Sequence, residues 1–431
     1  MLRTIRLTLA AVFFIGITLL FLDFTGTLHA WLGWMAKVQL WPAVLALNLA
    51  VVVALAALTL VFGRLYCSVI CPLGVMQDVF GWMGKKAKKN RYTYSKEVRW
   101  LRYPMLIVFV VALAAGVGAV CQLLEPYSAF GRIATMLLQP LYQMGNNVLA
   151  SVAERYDSYA FYSVDVWMRS LPVLVIAAVT LVVLAVLAWR GGRTYCNTIC
   201  PVGTVLSLPA RFSWLKISFD EEKCRSCSLC TKNCKAACID YKTHTVDYSR
   251  CVVCGDCIEK CRFGALTYAH RFSSASNLKS SIFNLQSSRR SFLLTAALAT
   301  TAALAQEKKK VDGGLAEIEE KKIPARQTPV VPPGAQSLKN MQTRCTGCQL
   351  CVSECPNGVL RPGTNLLHLM QPVMSFERGY CRPECTRCSD VCPAGAIKPL
   401  DEVEKSSIQV GHAVVLSKNC LSALGEVECG N

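Results

Sequence analysis

CRSCSLCTKNC at residues 224–234 and CVVCGDCIEKC at residues 251–261 decide the reading of this chain. Each has the spacing Cys-x2-Cys-x2-Cys-x3-Cys, in which three thiolates wrap one corner of a [4Fe–4S] cubane and the fourth is carried to a neighbouring cluster. The pattern returns at CTGCQLCVSECP (345–356) and, with one inserted residue, at CRPECTRCSDVCP (381–393). Sixteen of the twenty-four cysteines fall in these four runs, so they set the chemistry of the chain. Zinc knuckles use isolated Cys pairs and leave the third Cys of each run without a role. Disulfides suit small secreted domains, and cysteines three apart in one loop make poor bridging partners.

Crossed ligation predicts four clusters in two α+β double-cubane ferredoxin-like domains. Cys224, Cys227, Cys230 and Cys261 form one ligand set, and Cys251, Cys254, Cys257 and Cys234 the next. In the second domain Cys345, Cys348, Cys351 and Cys392 form one set, and Cys381, Cys385, Cys388 and Cys355 the other. Lys223, Arg225, Lys232, Lys235, Arg250, Lys260 and Arg262 surround the first pair of runs. Cations there are expected to raise the potential of a centre that gains negative charge on reduction. Cys121, in an apolar stretch, reads as packing, and Cys238 as a spare thiol outside the spacing.

The hydrophobic residues, 53% of the chain, are concentrated locally. Four apolar stretches, 6–24, 43–63, 103–124 and 171–189, each approach the ~20 residues that cross a hydrocarbon core. None carries an ionisable residue in its middle, which marks plain spans. The net charge of +18 is also unevenly placed. Residues 64–102 hold Arg64, Lys85, Lys86, Lys88, Lys89, Arg91, Lys96, Arg99 and Arg102, whereas the loops between the other span ends hold Lys37, Arg132, Arg155 and Arg169. That asymmetry is the positive-inside pattern, and it puts the N-terminus, 64–102 and the first ferredoxin-like domain in the cytoplasm. It accounts for the basic charge without nucleic acid. The aromatic-rich 125–170 loop is a candidate interfacial surface.

The membrane part is duplicated. Gly63-Arg64-Leu65-Tyr66-Cys67-Ser68-Val69-Ile70-Cys71-Pro72-Leu73-Gly74 matches Gly192-Arg193-Thr194-Tyr195-Cys196-Asn197-Thr198-Ile199-Cys200-Pro201-Val202-Gly203 at eight of twelve positions. Each block follows an even-numbered span, as in a parallel repeat. On a continuous helix the paired thiols would share one face. Cys67, Cys71, Cys196 and Cys200 are therefore candidate redox or metal thiols, sufficient for a further cluster or one soft metal ion.

Arg289-Arg290, a moderately apolar run from Phe292, and Ala303-Leu304-Ala305 form a twin-arginine export signal with a processing site. The chain then divides into 1–215, a four-span module with two CxxxCP motifs; 216–272, a cytoplasmic ferredoxin-like domain; and 273–306, a linker with the signal or a fifth span. Residues 307–340 form an extended linker, and 341–431 a second ferredoxin-like domain. Cys420 and Cys429 begin an incomplete third site, so the chain is expected to continue beyond residue 431 and to bind more than four [4Fe–4S] clusters in full.

These motifs resemble the NapH and NapG ferredoxin-type electron-transfer proteins of the wider NosR-like membrane family. Residues 1–265 are similar to NapH and 286–431 to NapG, here joined end to end. The resemblance implies an inner-membrane, multi-pass protein with its second ferredoxin domain in the periplasm. It implies transfer between quinol and an extracytoplasmic cytochrome or reductase, with quinol dehydrogenase activity as a candidate. The family offers one alternative, a redox-responsive regulator or maturation factor of a respiratory enzyme. No Cys-x-x-Cys-His haem motif and no Gly-rich dinucleotide fingerprint occurs, and all five histidines lie outside the four stretches.

Overall fold

A computed structural model describes residues 2–87, 92–158, 161–270, 328–377 and 379–411. The expected export signal and the Cys420/Cys429 pair lie outside the described residues. The described residues gather into one unit.

Two helices are long and apolar enough to cross a membrane, Leu2–Leu22 and Leu171–Gly191. At 1.5 Å per residue each runs about 30 Å. Leu2–Leu22 leaves Ile5, Leu9, Val12, Ile15 and Leu19 exposed, and Leu171–Gly191 exposes Val175, Val179, Val182 and Val186. Helices apolar all round are stable where their surroundings are apolar too.

The expected spans 43–63 and 103–124 are broken helices. Leu40–Leu45 ends before Leu47, which takes φ 56°, and Asn48 then caps Leu49–Phe62 by accepting from Val51 N at 3.3 Å. Arg99–Ala114 ends before Gly116, at φ 73°, and Gly118–Leu124 follows. Glycine supplies that left-handed turn at no steric cost. Both breaks lie against the second ferredoxin unit. A Cβ on Gly395 would stand 3.9 Å from Ala46 Cα, and one on Gly118 would stand 3.1 Å from the Gln342 carbonyl oxygen.

Residues 125–170 are not simply a loop. Glu125 caps Pro126–Ile133 by accepting from Ser128 N, with Pro126 at the first helical position. The helix continues through a π-helical turn, Ala134–Leu138, into Gln139–Glu154. Tyr127 and Phe130 are buried against Phe21, while Tyr142 and Tyr162 flank Phe24. The aromatic richness of this stretch is thus partly core.

Two ferredoxin units complete the fold. In the first, Leu215–Phe219 pairs antiparallel with Leu266–His270 and Ile239–Asp240 with Thr245–Val246, enclosing short helices Leu229–Asn233 and Asp256–Lys260. In the second, Leu360–Pro362 pairs with Pro372–Met374 beside helices Leu350–Ser353 and Arg387–Asp390.

The units occupy opposite ends of the helix Leu2–Leu22. At its start Arg3 pairs with Asp256 at 3.0 Å and with Glu259. At its end Phe21 lies beside Gly131, whose position adjoins the Cys348 carbonyl, and Gly26 lies beside Arg387. Leu171–Gly191 runs the other way. Val173 and Ala177 pack with Met370 of the second unit, and Gly192 abuts the Lys235 carbonyl of the first.

Candidate metal centres

Three of the four cysteine runs share one backbone device. The residues flanking the second Cys are both left-handed: Ser226 and Ser228, Val253 and Gly255, Gly347 and Gln349, with φ between 48° and 76°. The paired reversals curl the loop so that three thiols point to one side. Val253 shows the constraint most clearly, because a β-branched side chain opposes φ 50°.

The thiols of two of the crossed sets each line a common cleft. Cys224, Cys227, Cys230 and Cys261 line one cleft together with Phe219 and Tyr241. Cys345, Cys348, Cys351 and Cys392 line another, with Met341 and Ile397. Cys257 neighbours Cys254, Cys234 and Cys251, and burial with those thiols pushes its own well above the usual value. Burial, then Cys355, Cys381 and Cys385, pushes the Cys388 thiol up to about 12. Such thiols hold their protons until a metal displaces them, so binding and proton release are linked. Four-thiol clefts walled by apolar side chains fit a [4Fe–4S] cubane in ligand type and number. Among the described residues no three Cys, His, Asp or Glu side chains close up as a single metal ion requires.

Exposure differs within each unit. In the first, Cys227 is exposed and Cys224 half-buried, whereas Cys234, Cys251, Cys254 and Cys257 are buried toward the helices. In the second, Cys348 and Cys351 are buried, while Cys355, Cys381, Cys385 and Cys388 are half-buried. The buried set is tied to the helical module. Gln122 Nε2 donates to the Cys345 carbonyl at 3.2 Å, Ser128 Oγ to the Thr346 carbonyl, and Gln139 Nε2 to the Ser353 carbonyl at 3.2 Å.

Cys238 is not a bystander. It is buried with its Sγ 3.5 Å from Cys234 Sγ. Its hydrogen bond holds the Cys234 thiol below the usual value. Ligand spacing gives no hint of this, because the contact depends on the turn after Cys234. Among the cations around the first unit, Lys223 pairs with Asp220 at 2.7 Å and Arg250 with Asp247 at 2.6 Å. Lys235 divides its charge between Asp78 and Asp256, both at 3.1 Å. These three act on a centre less strongly than free cations.

The CxxxCP thiols do not share one helix face. Cys67 lies in the short helix Tyr66–Val69, and Cys71 is the extended N-cap, ψ 113°, of Pro72–Lys86. Cys196 lies in Thr194–Thr198, and Cys200 is the N-cap, ψ 118°, of Pro201–Ala210. The proline after each second Cys enforces the break, since the residue before proline avoids helical ψ. All four thiols are buried.

The two copies clasp each other. Arg64 donates across to the Cys196 carbonyl at 3.2 Å, and Arg193 donates back to the Cys67 carbonyl. Gly74 and Gly203 make room, since a Cβ on either would meet both the carbonyl and the opposing arginine. The repeated Gly-Arg in the sequence was the signal for this clasp.

A family profile described as "4Fe-4S binding domain" matches residues 44–90 and again 170–219, the two CxxxCP segments. A second profile of the same description matches 244–267 and 341–361. An uncharacterized protein of Methanocaldococcus jannaschii is 40% identical over 76 residues, 17% of this chain and 30% of that protein. YccM of Escherichia coli, a putative electron transport protein, is 26% identical over 226 residues, 51% of this chain and 55% of its own. The ferredoxin-type protein NapH of Escherichia coli is 26% identical over 241 residues, 54% of this chain and 71% of its own. The chain thus spans less than a third of the first relative and about half of the second. No solved structure matches it.

Proposed function

We propose that this chain, a member of the NapH-like family of 4Fe-4S ferredoxin-type proteins, carries electrons across a membrane between quinol and an extracytoplasmic redox protein. The observation that carries this reading is the seating of two cysteine-lined units at opposite ends of one 21-residue apolar helix. Bound [4Fe–4S] clusters supply one-electron carriers tuned by charge, hydrogen bonds and exposure. The sixteen ferredoxin cysteines hold them. Apolar walls keep water from the inner sets, and the half-buried outer sets face redox partners.

On this reading the broken helices join the two long ones as four spans in the inner membrane. The basic end with the first unit is cytoplasmic, and the twin-arginine signal exports the second unit to the periplasm. In proteoliposomes, a menaquinol analogue should reduce the visible absorbance of the clusters, and an oxidised cytochrome should restore it. Clusters that titrate with dithionite but never respond to quinol would sink the quinol half of the proposal.

A further inference from the structure

The clasp between the CxxxCP copies contains a charge that the protein leaves unanswered. Arg64 is fully buried. It donates to Asn197 Oδ1 and the Ser249 carbonyl, both at 3.0 Å, and to the Cys196 carbonyl. Its Nη2 also stands 3.8 Å from Cys67 Sγ. Its Nε has no partner, and among the described residues no carboxylate reaches it. Carbonyl oxygens solvate a guanidinium but do not neutralise it, and a buried charge normally has a counter-charge. The neighbouring cations offer no relief. Arg6 and Arg193 pair with Asp78, Lys235 lies between Asp78 and Asp256, and Arg102 uses Glu97.

The sulfurs show the complementary arrangement. Gln77 Nε2 donates to Cys196 Sγ at 3.2 Å, and Gly203 N to Cys200 Sγ at 3.3 Å. Arg64 faces Cys67. Three sulfurs that each meet an N–H donor are placed as acceptors, the role of a ligated thiolate more than of a thiol. Neutral thiols would leave Arg64 without an anion.

We propose that Cys67, Cys71, Cys196 and Cys200 together bind one further iron–sulfur cluster across the repeat junction, with Arg64 as its buried counter-cation. The proposal deepens the function above and rests on it. The matched profile covers the two segments separately and assigns no ligand, whereas the clasp makes them one site. Its position is intermediate between the inner ferredoxin sets. Arg193 N donates to the Lys235 carbonyl, beside Cys234, at 2.8 Å. Tyr195 Oη donates to the Leu124 carbonyl at 2.8 Å, four residues before Ser128, which reaches Thr346.

The test counts iron and acid-labile sulfide in the full chain purified without oxygen. Four thiolates per cubane and four irons per cubane give about sixteen irons for the ferredoxin cysteines and about twenty with this site. Wild type near twenty, falling by one cluster in Cys67→Ser/Cys196→Ser while the ferredoxin paramagnetic signals persist, supports the proposal. Wild type near sixteen, or a double variant with unchanged iron, overturns it. If the double variant loses every signal, the wild-type count decides alone. Arg64→Met should lower the potential of one centre and leave the others unmoved; a uniform shift or none overturns the role of Arg64. Wild type that binds no iron refutes the electron-transfer reading itself, a different result from either.

Discussion

Asp78 holds the first ferredoxin unit to the helices through three cations, Arg193 at 2.8 Å, Arg6 at 3.0 Å and Lys235 at 3.1 Å. Burial alone would push its carboxyl up, but Arg193, Lys235 and Arg6 hold it well below the usual carboxylate range. Asp78→Asn strands buried positive charge, and breaking such a pair costs roughly 3–5 kcal/mol. A depressed carboxylate pKa contributes stability that is fully present above the unfolded value, about 3.9, and is lost as pH falls through the folded one. The gap in unfolding midpoint between wild type and Asp78→Asn should therefore be constant from pH 8 down to about 4, and narrow only in stronger acid. Cys238 gives a second test at this scale. Cys238→Ala should leave the iron content intact, because Cys238 is the fifth thiol at a four-thiol set. Losing one hydrogen bond to Cys234 is worth roughly 1 kcal/mol, or about 40 mV toward lower potential for a one-electron couple. Redox titration followed by electron paramagnetic resonance reads both; loss of one cluster would make Cys238 a ligand.

Helix Pro126–Ile133 seats the second unit through a single missing side chain. A Cβ on Gly131 would strike the backbone carbonyl of Cys348, which has no rotamer to yield. Gly131→Ala should push the unit off its seat at a cost of about 1–3 kcal/mol, the usual range for overpacking. Hydrogen exchange should rise across 345–352 and stay unchanged across 224–261; equal protection in both would show that the seat is softer than the geometry implies. The element scale is also where sequence and structure part. The ferredoxin loops were legible because ligand spacing is a local property; Cys261 lines one cleft with Cys224, and Cys392 another with Cys345. Hydropathy could not show that 43–63 and 103–124 are broken, since it registers apolar content and not hydrogen-bond continuity. Gly116 was a visible warning in the second stretch; Leu47, at φ 56°, gave none. The clasp of Arg64 and Arg193 was half visible. The repeat displayed both arginines, but only the packing shows that each serves the other copy.

At the scale of the molecule, the proposed function gives the two ferredoxin units two addresses. The chain leaves the first unit at His270 and enters the second beyond residue 328, while the units meet opposite ends of helices about 30 Å long. If those helices span the membrane, the second unit reaches its seat on Gln122, Ser128 and Gln139 only from the far side. Clusters are assembled in the cytoplasm, so on the proposed reading this unit crosses already folded, and Arg289-Arg290 ahead of an apolar run is the signal proposed for that route. Arg289→Lys with Arg290→Lys should therefore strand residues 341–411 in the cytoplasm with their cysteine sets formed but undocked. In intact spheroplasts, external protease should cleave the wild-type second unit and spare that of the double-lysine variant. A reporter fused after residue 340 should switch sides in parallel. The first unit should keep its paramagnetic signals in both proteins, because its tie to Arg3, Arg6 and Asp78 does not depend on export. If the second unit is protected equally in both, it lies with the first on one side, and the helices Leu2–Leu22 and Leu171–Gly191 do not separate two compartments.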